Sequence, residues 1–148
     1  LRERDEAWSG ALVVRLQALC DERTPALWAV RLNIAEAQGA YRALMQGQRI
    51  ALGDILRDGT DRSQALPAAT LLIRRHKELI LLPPDDFPLA PGDELLLASS
   101  LAARHNLETT LHNPNELDYV LTGSEVSGSW LWQRFMRSGR PAAPAGEP

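Results

Sequence analysis

Residues 88–99, PLAPGDELLLAS, set a rigid corner directly before a continuous apolar run. Pro91 fixes one backbone angle, Gly92 can take the positive φ that a tight turn needs, and Asp93 can hydrogen-bond its own backbone. Together they specify a turn. The run after it, from Glu94 to Ser99, is apolar on both faces. A short run of that kind, closed by a helix start at Ser100, reads as a buried strand rather than a helix.

Working outward from this strand, residues 70–75 (TLLIRR) and 78–82 (ELILL) flank His76-Lys77 and read as a hairpin. Neither turn residue is the Gly or Asn that a two-residue turn prefers. Pro83-Pro84-Asp85-Asp86 ends the second strand. Residues 26–32 (ALWAVRL), with an aromatic and β-branched centre, supply a fourth strand.

The rest of the chain reads as helices and connections. Residues 7–22 form an amphipathic helix, because Trp8, Leu12, Leu16, Leu19 and Cys20 recur at helical spacing, and Thr24-Pro25 stops it. Residues 34–46 are Ala- and Gln-rich, a helix weakened by Gly39. Residues 47–59 carry a short helical segment with a Gly stop, and 60–64 form a polar loop. Ser100 caps a helix over 101–111, after which Asn113-Pro-Asn115 is expected to turn. Residues 118–122 (DYVLT) are expected as a last strand and 130–136 as a last helical turn or two. Residues 138–148 (SGRPAAPAGEP) cannot bury enough apolar surface to fold and are expected to be a disordered tail.

Composition bounds the function. A chain of 148 residues, 45% hydrophobic, supports one good core. Sixteen basic against 19 acidic residues give a net charge of −3 with both signs interspersed, which argues against nucleic acid as a partner. No run approaches the eighteen or so apolar residues of a membrane span, and no basic-then-apolar leader opens the chain. The single cysteine, Cys20, cannot form an internal disulfide and fits a reducing compartment. A chain opening on Leu1 and the charged run RERDE reads as a piece of something larger.

The succession GQRIALGDIL (from Gly47), ATLLIRRHKELILLP and PLAPGDELLLAS resembles the RCK C-terminal domain, also called TrkA-C, of potassium channels and transporters. That family's pattern places Arg75 at the end of the first hairpin strand, Pro83 after the second, and Leu89, Gly92, Asp93 and Leu95 in the corner motif built on Pro91, Gly92 and Asp93. The family's turn usually carries Gly where His76-Lys77 stand. The resemblance covers residues 26–112. It divides the chain into a linker helix (1–24), the TrkA-C-like domain (25–112), a C-terminal extension (113–137) and the tail (138–148). It implies an α+β fold, a small, mostly antiparallel sheet with covering helices, and a non-enzymatic, ligand-sensing, dimerising domain that controls potassium transport. Its implied partners are a second copy, an upstream nucleotide-binding domain, a membrane pore of the same or a partner chain, and a small anionic effector. Its implied place is the cytoplasm, as the soluble part of an inner-membrane protein or complex. No Gly-x-Gly-x-x-Gly occurs, and glycines 47, 53 and 59 are too far apart to cradle a phosphate, so no cofactor is expected here and a nucleotide would bind the upstream domain.

Other classes have candidates too. His105, Glu108 and His112 lie at i, i+3 and i+7 and could offer a metal two imidazoles and a carboxylate, as in a small metal-dependent enzyme. The plainer reading is a solvated helix face with no further ligand from elsewhere, and so no metal. Asp85-Asp86, Asp93 and Asp54 read as turn and helix residues. Cys20 reads as an inert thiol on an apolar stripe, and Ser124 and Ser127 lack the spacing of a nucleophile elbow. No catalytic set emerges. Arg74, Arg75, His76 and Lys77 form the one basic cluster, either a charged hairpin tip that blunts strand edges or an anion contact at a dimer cleft, with Arg74, Arg75 and His76 as its ligands. Trp130, Trp132 and Phe135, with Trp8, either complete a core or form a general protein-interaction surface.

Overall fold

The computed structural model describes residues 2–19 and 25–123. In chain order the elements are α1 (Arg2–Leu19), β1 (Ala26–Arg31), α2 (Gln38–Met45), α3 (Leu52–Ile55), β2 (Ala68–Arg75), β3 (Glu78–Leu81), β4 (Glu94–Ser99), α4 (Leu101–His112) and α5 (Pro114–Thr122). The four strands form one antiparallel sheet in the order β1-β4-β2-β3, so the chain is α+β and the apolar strand after the Pro-Gly-Asp corner is central. Its burial on both faces follows from that position: Leu95, Leu97, Ala98 and Ser99 are all buried.

The register assigns the faces. Trp28 pairs with Leu97 and Val30 with Leu95, and Ile73 also pairs with Leu95, so these side chains share the face that packs on Ala40, Ala43, Leu107, Leu111, Leu117 and Val120 of the helices. Leu27, Ala29, Leu72, Leu79, Leu81 and Leu96 share the opposite face. α1 contacts β2. Leu27, Leu79 and Leu81 on this face stay 65%, 61% and 51% exposed. Leu71 is an extra residue in β2, a bulge between Thr70↔Leu97 and Leu72↔Leu96. It resets the alternation, so that Thr70 and Ile73 both face the core side.

Several elements depart from the sequence reading. The first helix begins at Arg2 rather than at residue 7, because the charged opening run is made of good helix formers. The second helix begins at Gln38 rather than 34, since the Asn33 side chain accepts the backbone N–H of Ala35 (3.0 Å) and Glu36 (2.8 Å) and holds a turn there. The largest correction is at 113–122. Asn113-Pro114 opens a helix instead of ending one: Asn113 Oδ1 accepts the Asn115 N–H (3.0 Å) as the N-cap, and Pro114 takes the first helical position, where its missing N–H costs nothing. Residues 118–122 are therefore helix, not strand, and Gly123 closes it at φ 75°. Cys20, Ser124, Ser127, Trp130, Trp132, Phe135 and residues 138–148 lie outside the described residues. Among the described residues no helix is long and apolar enough to cross a membrane.

Gly39 does more than weaken α2. A Cβ there would lie 3.0 Å from the carbonyl oxygens of both Leu111 and His112, so the missing side chain is what lets α2 approach the end of α4. Gly39→Ala would gain about 1 kcal/mol in helix propensity. Both obstructing atoms are backbone, however, and overpacking typically costs about 1–3 kcal/mol. We expect a net loss of stability in urea unfolding; a gain would show that α2 can shift freely.

Candidate functional site

The corner that the sequence specifies is a type II turn. The Asp93 N–H donates to the Ala90 carbonyl (3.2 Å), Pro91 occupies the first central position, and Gly92 sits at φ 85° in the second. The turn is locked to the end of β1, because Gly92 N donates to Leu32 O and Leu32 N to Asp93 O, both at 2.8 Å. The Asp93 carboxylate, with no accessible side-chain surface, points back into this corner. Its Oδ2 accepts the Ala90 N–H at 2.8 Å.

Arg75 closes the same corner. Its Nε and Nη2 donate to the two Asp93 carboxylate oxygens at 2.8 Å each, Nη2 also reaches the Pro88 carbonyl (2.7 Å), and the guanidinium lies 5.0 Å from the centre of the Phe87 ring. The bonds to Asp93 raise the Arg75 pKa above its ordinary value. This bidentate clamp ties the hairpin end to the Pro-Gly-Asp turn.

Arg74 faces the other way and meets a different acid. Arg31, Glu94 and Arg74 sit opposite one another on β1, β4 and β2, and the Glu94 carboxylate Oε2 accepts from both guanidinium groups, from Arg31 at 2.9 Å. Bonds from Arg31 and then Arg74 hold the Glu94 carboxyl below the usual carboxylate range, and the bond to Glu94 raises the Arg31 pKa.

Arg31, Arg74, Arg75, His76, Gly92 and Glu94 line one concavity of about 320 Å3 at this end of the sheet. Arg74, Arg75 and His76, singled out from the sequence, are thus brought together, whereas Lys77 is not part of the lining. His76 supplies the turn with φ 55°, the left-handed conformation the missing glycine would have taken. Sequence reasoning missed Arg31 and Glu94. Their only signal is position, each at the mouth-side end of its strand. Three guanidinium groups against the carboxylates of Asp93 and Glu94 leave the wall cationic, and half of the Arg31 and Arg74 side-chain surface remains accessible. The chemistry on offer is anion binding.

The candidate metal ligands lie elsewhere. His105, Glu108 and His112 line a larger groove of about 680 Å3 between α4 and β1. Glu108 Oε1 accepts from Arg104 Nε (2.8 Å), and His112 Nδ1 lies 2.9 Å from the Glu108 carbonyl oxygen. Among the described residues no three His, Cys, Asp or Glu side chains form a group that could hold a metal ion. Asp54 caps the Ala51 N–H (3.0 Å), while exposed Asp85 lends its carbonyl to Gly53 N (2.7 Å). In the 58–63 loop, bonds from the Thr60 hydroxyl and N–H pull the Asp58 carboxyl down to about 2. No protein-family model matches this chain, and no curated protein matches its sequence.

Proposed function

We propose that this chain is a ligand-sensing, dimerising regulatory domain of the RCK C-terminal (TrkA-C) kind, controlling a potassium channel or uptake system from the cytoplasm. The observation that carries the reading is the convergence of the residues that bear the resemblance: Arg75 clamps Asp93, Gly92 makes the turn, and Leu89 and Leu95 are buried beside it. The effector is a small anion, a nucleotide or cyclic dinucleotide, that takes Arg31 and Arg74 from Glu94. Phosphate oxygens suit paired guanidinium groups, and release of Glu94 unlinks β1 from β2 across β4, which gives the ligand two arrangements to choose between. The exposed Leu79 and Leu81, two residues apart on one face of the edge strand β3, support pairing with a second copy.

A melting screen with phosphate, adenine nucleotides and cyclic dinucleotides tests the site. A ligand at about a hundred times its Kd adds about 2.7 kcal/mol, a rise of roughly 5–10 °C for a chain of this size. Arg31→Ala with Arg74→Ala should abolish the rise. No rise with any of these compounds would end the anion-site reading. Potassium uptake by the whole parent protein that does not change with the double variant would end the transport reading.

A further inference from the structure

Glu94 is the anion already in the site. It lies on the central strand, with Arg31 opposite it on β1 and Arg74 opposite it on β2, and both guanidinium groups donate to the same oxygen, Oε2. Two forked donors thus share one acceptor atom, although each guanidinium can serve two oxygens at once. The carboxylate is an incomplete partner for the pair that holds it.

The charges on this wall are also unevenly matched. Arg75 is neutralised by Asp93, whose carboxylate accepts from both its Nε and Nη2 at 2.8 Å, and that pair belongs to the corner. Glu36 also acts on Arg31, but its carboxylate is tied to the Arg31 N–H (2.9 Å) and does not line the concavity. On the open wall two guanidinium groups face the single carboxylate of Glu94. An incoming anion must displace that carboxylate, which is tethered beside both arginines and so competes at high effective concentration. A singly charged group exchanges one anion for another and gains little to offset the competition. A doubly charged group neutralises both arginines, and three terminal oxygens let each guanidinium take two, one of them shared.

We infer that the site selects phosphomonoesters, whose terminal phosphate is a dianion with three free oxygens, over phosphodiesters, which carry one charge and two free oxygens. Glu94 is the built-in competitor that sets the threshold, and the paired arginines supply the preference. The inference rests on the anion-site reading and chooses among the ligands that reading admits: a mononucleotide fits, and a cyclic dinucleotide, whose phosphates are all diesters, does not. The concavity of about 320 Å3 lies at the lower end of the usual range for ligand sites, roughly 300–1,000 Å3, and suits one phosphate with the group that carries it.

Adenosine 5′-monophosphate and 3′,5′-cyclic adenosine monophosphate are the matched probes, since they share base and sugar and differ in the ester. Calorimetric titration at pH 8, above the second phosphate pKa of about 6, keeps the monoester doubly charged. One further charge-assisted bond is enough for about a tenfold difference, so the monophosphate should bind at least about tenfold tighter than the cyclic form. Glu94→Gln removes the competitor and should tighten both probes, by about tenfold on the same scale. Arg31→Ala leaves Glu94 paired with Arg74; it should weaken the monophosphate more than the cyclic form, and covers the case that the glutamine variant misfolds. Equal or tighter binding of the cyclic form, lost in Arg31→Ala with Arg74→Ala, overturns the inference and leaves the anion site standing. Unchanged affinities in a folded Glu94→Gln variant overturn the role given to Glu94. If neither probe nor inorganic phosphate binds, the anion-site reading itself fails, and the inference with it.

Discussion

Arg75→Ala is expected to lower the unfolding free energy by about 3 kcal/mol, because it leaves the Asp93 carboxylate buried without its charge partner. Breaking a fully buried pair costs about 3–5 kcal/mol, and the lower end applies since 28% of the Arg75 side chain remains accessible. Arg74→Ala, one residue away, is expected to cost no more than about 1 kcal/mol, as both Arg74 and Glu94 are partly exposed. Urea unfolding of the two variants side by side measures the difference. Arg75→Lys keeps the charge but loses the planar fork and should fall between them. Removing Asp93 as well as Arg75 should recover part of the loss, because no buried charge then remains. Equal costs for Arg74→Ala and Arg75→Ala would show that the clamp does not hold the corner.

That contrast also shows what the sequence could and could not reveal. RRHK reads as one basic cluster because its members are adjacent, yet adjacent strand residues point to opposite faces. Which of the two arginines meets Asp93 is set by register, and register here depends on the bulge at Leu71. Nothing in the run TLLIRR announces an extra residue: its apolar positions are continuous, so a shift by one leaves leucine or isoleucine at every buried place. Arg31 was invisible for a related reason. It joins Arg74 only through the central strand, at a sequence distance that no local pattern spans. By contrast, the turn at Pro91-Gly92 was legible in full, because a proline followed by a glycine has few conformations to choose from. The four strands were legible because each has turn residues at its ends and β-branched, aromatic or leucine side chains between.

The sequence was misread most where a local signal has two meanings. Asn-Pro ends helices and also begins them, and only the partner surface decides. Pro114 begins α5 because Leu117 and Val120, three residues apart on one face, find cover on the helical layer, where α5 packs against α4, α2 and α3.

Deleting α5 is therefore the second large effect to expect. The resemblance places a boundary at residue 112, but Leu117 (2% exposed) and Val120 (0%) belong to the same core as Leu107, Leu111 and Ile55. The Tyr119 hydroxyl lies 3.4 Å from both Arg62 N and Thr60 O, so α5 also braces the loop that follows α3. A chain ending at His112 would leave Leu107 and Leu111 without cover on one side and is expected to lose its cooperative urea transition, visible as collapsed amide dispersion by NMR. The milder Leu117→Ala should cost about 2–5 kcal/mol, as for other buried leucines. Asn113→Ala, which removes only the cap, should cost about 1 kcal/mol. The ordering matters more than any one value: if the truncated chain unfolds with the same midpoint as the full one, α5 is an appendage and the core closes at α4. If it fails to fold while Asn113→Ala is mild, the cooperative unit runs at least to Gly123, and the Arg75–Asp93 corner stands on a core completed by a helix that the sequence motif does not include.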